Sequence, residues 1–75
     1  MRANFDNKLS ELNKKLLSMA AMTEQIIAMS IKSLEEQDTK LARETVEFDA
    51  KINEAEREVE RICLNVLLQQ QRVFA

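Results

Sequence analysis

Leu34-Glu35-Glu36-Gln37-Asp38-Thr39-Lys40-Leu41 is the stretch on which the fold turns. Between its two leucines there is no large apolar residue, whereas on either side apolar residues recur at steps of three and four. Such steps keep one face of a helix packed. The row before the stretch is Phe5, Leu9, Leu12, Leu16, Met19 and Ile26, with Thr23, Ser30 and Ser33 in line. The row after it is Leu41, Thr45, Phe48, Ile52, Ala55, Val59, Ile62, Val66 and Val73, with Gln69 in line. Counted in sevens, the rows are out of phase by one residue, and the slip falls inside the quoted stretch. Asp38 is suited to cap a new helix, because its carboxylate accepts from the free N–H groups of the first turn. The pattern predicts helices over about 3–36 and 39–72 joined by a turn, an all-α hairpin of two long antiparallel helices. One continuous helix with a skip in a coiled coil is the alternative, since no Gly marks the end of the first helix.

Composition points the same way. The 75 residues contain no Gly, Pro, His, Trp or Tyr. Tight turns draw on Gly and Pro for their backbone angles, and a sheet of this size would need several. The length allows one domain, 1–75, too small to bury much of its surface alone. One Cys forms no intramolecular disulfide, so completion by a metal or by oligomerisation is expected. A second apolar row on the first helix (Leu17, Ala20, Ile27, Ile31, Leu34) widens its face beyond one seam and calls for a second neighbour, hence a homo-oligomer. Met22 and Met29, seven apart, are expected on the far side of this helix, either as a contact for another chain or as incidental exposure, while Met19 belongs to the core.

The net charge of −2, from 11 basic and 13 acidic residues, leaves no basic footprint for nucleic acid. No uncharged run approaches the length that spans a bilayer. The polar opening Met1-Arg2-Ala3-Asn4-Phe5-Asp6 carries no apolar leader core, and with a lone Cys63 the expected compartment is the reducing cytoplasm.

The row that could carry chemistry lies on the second helix. It runs Ala42, Val46, Asp49, Asn53, Glu56, Glu60, Cys63, Leu67, Gln70 and Phe74. Its centre is four oxygen-bearing side chains at steps of four, three and four, projecting from one strip of the helix. Glu56 and Glu60 are like charges at i, i+4, which is unfavourable unless compensated. A cation is one compensator, for carboxylate rows on bundle helices build metal sites, and oxygen donors without His suit Mg, Mn, Fe or Zn. A solvated face balanced by Arg57 and Arg61 is the other reading. A metal site on Asp49, Asn53, Glu56 and Glu60 needs further ligands from another helix or chain. Cys63 lacks a His to activate it and is read as a small buried apolar residue. Phosphate-loop, nucleophile-elbow and zinc spacings are absent, so the chain is expected not to be an enzyme.

Two segments resemble a known family. Phe5-x3-Leu9-x2-Leu12-x3-Leu16, then Met19, Ile26-Ile27, Leu34 and Asp38-x2-Leu41-Ala42, are similar to the start of PhoU-type phosphate-uptake regulators. Asp49-x2-Ile52-Asn53-x2-Glu56, then Val59-Glu60 and Cys63-Leu64, resemble their second helix. Gln70-Gln71-Arg72-Val73 looks like their helix 2–3 junction, where the family usually has Pro in place of Arg72. The resemblance covers nearly the whole chain and matches the first two helices of one three-helix repeat, without the third helix and its acidic motif. It implies part of a PhoU-like helical bundle in a cytoplasmic, non-enzymatic negative regulator of phosphate-starvation signalling. It implies a phosphate ABC transporter and a sensor histidine kinase as partners, and iron or zinc on acidic helix faces, here at Asp49, Asn53, Glu56 and Glu60. The rival is a purely structural hairpin that oligomerises and holds no ligand.

Overall fold

The computed structural model describes residues 2–74, and side chains over 3–71. Helix α1 spans Arg2–Glu36 and helix α2 spans Thr39–Phe74, so the expected two-helix hairpin is the fold and the continuous helix is not. The molecule is a rod of 55 × 15 × 14 Å.

The reversal is made by two residues. Gln37 takes a left-handed conformation, φ 52°, the only non-glycine to do so among the described residues. This lets the Asp38 N–H turn back and donate to the Ser33 carbonyl at 3.0 Å, the long-range bond of a Schellman cap. Asp38 also starts the next helix: its Oδ1 accepts from the Leu41 N–H at 3.0 Å, and its carbonyl accepts from the Ala42 N–H at 3.0 Å. One residue thus closes α1 and opens α2, so the slip in phase needs no longer loop.

The core is a single seam. On α2, Thr45, Ile52, Val59 and Val66 are buried at every seventh position, with Leu41 half-buried before them and Phe48, Ala55 and Ile62 half-buried between them. A strict seven-residue repeat keeps one stripe toward a partner helix over its whole length. Gln69, expected in this row, is exposed, and the side chains of Val73 and Phe74 lie outside those described.

On α1 the inward row is Phe5, Lys8, Leu12, Lys15, Met19, Met22, Ile26, Met29 and Ser33. This corrects two expectations. Met22 and Met29 face α2 and do not lie on the far side: both are half-buried, and Met22 lines a groove with Ala55 and Val59. Leu9 and Leu16 sit at the rim of the seam, about 40% exposed, because the lysines one residue before them hold the inner positions. A lysine can do so by burying its methylene stem while its ammonium group reaches out.

The seam changes character near the turn. Ser33 and Thr45 are buried there. Ser30 donates to the Ile26 carbonyl at 2.7 Å, Ser33 to the Ser30 carbonyl at 2.9 Å, and Thr45 to the Leu41 carbonyl at 2.7 Å. Each hydroxyl is satisfied within its own helix, so these small side chains do not carry an unpaired polar atom into the interface.

Candidate acidic face on the second helix

The two flanks of the hairpin differ in chemistry. On one flank the α1 lysines cross to α2. Lys8 Nζ donates to Gln69 Oε1 and Lys15 Nζ to Glu58 Oε1, each at 2.6 Å. Glu58 and Asn65 each precede a buried valine by one position, which places them on this flank, where they line grooves against α1. The hydrogen bond from Lys15, reinforced by its charge, lowers the Glu58 carboxyl below its ordinary range. The bond to Glu58 likewise raises the Lys15 ammonium.

Asp49 and Glu56 lie four positions after Thr45 and Ile52, on the opposite flank. Asn53 and Glu60 follow them by four residues each, one turn further along α2 and about 40° further around it. The structure leaves all four exposed, as a band along α2 about 16 Å long at the helical rise per residue. The band is framed by exposed Val46 on the turn side, and by half-buried Cys63 and exposed Leu67 on the other. Cys63, expected as buried, keeps part of its surface in solvent. Across the seam, α1 presents Leu16, Ala20, Thr23 and Ile27 at similar heights, none of them charged.

The oxygen donors are hard and suit divalent or ferric cations. Successive members stand a turn apart, so at most two converge on one point. Among the described residues, no three Asp, Glu or Cys side chains come together as a group that could hold a metal. The residues of one hairpin therefore do not fit a metal ion by themselves, and donors from a further surface are required.

Two features escaped the sequence reading. Lys8 and Lys15 are clamps between the helices, and their seven-residue spacing was the available signal. The second is a shallow groove on the outer side of α2, lined by Arg57, Glu60, Arg61, Leu64 and Leu68, which brings both arginines beside the end of the acidic band. No helix of the described residues is long and apolar enough to cross a membrane.

The PhoU domain family matches residues 16–74, which take in most of α1, the turn and α2. The phosphate-specific transport system accessory protein PhoU of Edwardsiella tarda is 31% identical over 67 residues, covering 89% of this chain and 28% of that protein. A PhoU homolog from Pseudomonas putida is also 31% identical, over 89% of this chain and 26% of its own length. The Escherichia coli K12 protein is 25% identical over the same shares as the first, 89% and 28%. The chain thus spans about a quarter of the length of the curated relatives it matches. No solved structure matches it significantly. With most of α1, the turn and the acidic band inside the matched segment, the chain belongs to the PhoU family.

Proposed function

We propose that this chain serves the regulation of phosphate uptake as a non-enzymatic binding protein, in the cytoplasm, as a negative regulator of phosphate-starvation signalling. The observation that carries this reading is the family match over residues 16–74, with relatives named as accessory proteins of the phosphate-specific transport system. The shape supports a binding role. A rod with one narrow seam leaves most of both helices as surface for other proteins. Its partners are a phosphate ABC transporter, a sensor histidine kinase and further copies of itself. The band of Asp49, Asn53, Glu56 and Glu60 is the contact face, and iron, zinc or another divalent ion joins it when a second surface supplies the remaining donors.

The test is expression of the chain in a bacterium deleted for its own PhoU relative, with a phosphate-starvation reporter read in phosphate-rich medium. Restored repression that is lost in Asn53→Lys/Glu56→Lys supports the reading. No repression with a folded protein refutes it and leaves the structural hairpin, which tolerates both lysines. Elemental analysis of protein purified without chelator or tag decides the metal. A stoichiometric ion lost in Asn53→Ala supports the site, and none makes the band a solvated face.

A further inference from the structure

Helix α1 carries two overlapping stripes that share Phe5, Leu12, Met19, Ile26 and Ser33. One alternates them with Lys8, Lys15, Met22 and Met29, the other with Leu9, Leu16, Thr23 and Ser30. Successive residues stand about 100° apart, so a roll of about 50° exchanges one stripe for the other. The structure uses the first stripe along the whole of α1, with its four intervening residues half-buried. Towards the turn this choice follows from the side chains, since two methionines lie inside and a threonine and a serine outside. Towards the open end it runs against them. There two lysines lie inside, while Leu9 and Leu16 stand 39% and 40% exposed. A local arrangement that opposes apolar burial needs a compensating contact.

The compensation falls in the same half. Lys8 Nζ donates to Gln69 Oε1 and Lys15 Nζ to Glu58 Oε1, both at 2.6 Å. Among the described residues, these are the side-chain hydrogen bonds that run from one helix to the other. We infer that they lock the roll of α1. Lys8 and Lys15 are positioning residues that keep Leu9 and Leu16 out of the seam. Release of their acceptors lets the open-end half of α1 roll and take both leucines in. Spread over two heptads, the roll is comparable with the roughly 20° per heptad by which a straight helix drifts from a seven-residue repeat, so the turn half keeps its packing. Bonds at a partly exposed edge are weak enough to be undone, and packed arrangements of this kind are discrete. The lock decides what the acidic flank offers. Held, it leaves Leu9 and Leu16 as an apolar rim beside half-buried Cys63 and exposed Leu67. Rolled, α1 withdraws both leucines and leaves the carboxylates without that rim.

The test removes the acceptors and leaves α1 untouched. Glu58→Ala/Gln69→Ala protein, labelled at leucine and valine methyl groups, is compared with wild type by NMR with a soluble paramagnetic agent, over a series of protein concentrations. The expected result is a several-fold loss of broadening at Leu9 and Leu16, towards the level of Val59, which is 8% exposed. Leu17 and Leu34, 72% and 78% exposed, should not change. If the bonds serve only to hold the helices together, the variant has a looser seam, and Leu9, Leu16 and Val59 all broaden more. Lys8→Met/Lys15→Met checks the argument without relying on that variant. Methionine fills the inner positions with no bond to make, so Leu9 and Leu16 should stay as exposed as in wild type. The lock is overturned if the acceptor variant leaves both leucines exposed, if Val59 loosens with them, or if the methionine variant buries them too. Protection that grows with protein concentration is association and overturns it as well.

Discussion

Gln37→Gly should make the hairpin more stable, although it removes a side chain and adds a flexible residue. Gln37 has φ 52°, where an L-residue crowds its Cβ against the neighbouring carbonyl at a cost of about 1–2 kcal/mol. Glycine removes that cost and adds back about 0.4–1 kcal/mol through the greater freedom of the unfolded chain. The Gln37 side chain is exposed and makes no hydrogen bond among the described residues, so nothing else is lost. The net gain is about 0.5–1 kcal/mol, a rise in Tm of roughly 3–6 °C for a domain of this size. Thermal unfolding followed by circular dichroism reads it, at one fixed protein concentration because association shifts Tm. Gln37→Ala is the control, since it keeps the Cβ and should leave Tm nearly unchanged. If glycine lowers Tm, or alanine gives the same gain, the left-handed cap is not what ends α1.

Ile52→Ala removes the most buried apolar side chain of the seam, 5% exposed, and should cost about 2–3 kcal/mol in urea unfolding, the low end of the usual range because the seam is narrow. Asp38→Ala removes the carboxylate that caps α2 and should cost about 1 kcal/mol by the same measurement. The Lys15–Glu58 pair predicts a pH dependence with a definite sign. The lowered Glu58 carboxyl contributes stability above the ordinary carboxylate range, lost as pH falls through its depressed value. The raised Lys15 ammonium contributes below the ordinary lysine range, lost as pH rises through its elevated value. Both side chains are partly exposed, so the effect is small and fades with salt. A plot of Tm against pH for Lys15→Gln should run flatter than wild type at both ends in low salt.

The hairpin was legible because its evidence is periodic and local: a row of four-three steps on each side of a gap, and an aspartate placed to cap. The α2 seam was read almost residue by residue, since Ile52, Val59 and Val66 leave no ambiguity about which side is dry. On α1, Phe5, Leu12, Met19, Ile26 and Ser33 were read correctly, and the positions between them were read one residue off. Apolar counting favours Leu9 and Leu16 over Lys8 and Lys15, yet lysine stems fill the inner positions and their ammonium groups find acceptors on α2. That displacement carried Met22 and Met29 to the wrong side. The end of α1 lacked a sequence mark because glutamine, not glycine, takes the left-handed position. The acidic band was visible as a row, but whether it ever closes around an ion depends on a second surface that one helix cannot reveal.

The two-residue turn at Gln37–Asp38 sets an order of assembly. Near it, Ser33 and Thr45 are only a short loop apart, whereas Lys8 and Gln69 at the open end are 61 residues apart along the chain. Closing the longer loop first would cost about 1.4 kcal/mol more chain entropy than closing the shorter one. The helices should therefore zip from the turn outward and fray from the open end inward. Amide hydrogens around Leu41 and Thr45 should then outlast those around Leu12 and Ile62 in hydrogen exchange, even though the larger apolar side chains lie at the end that opens first.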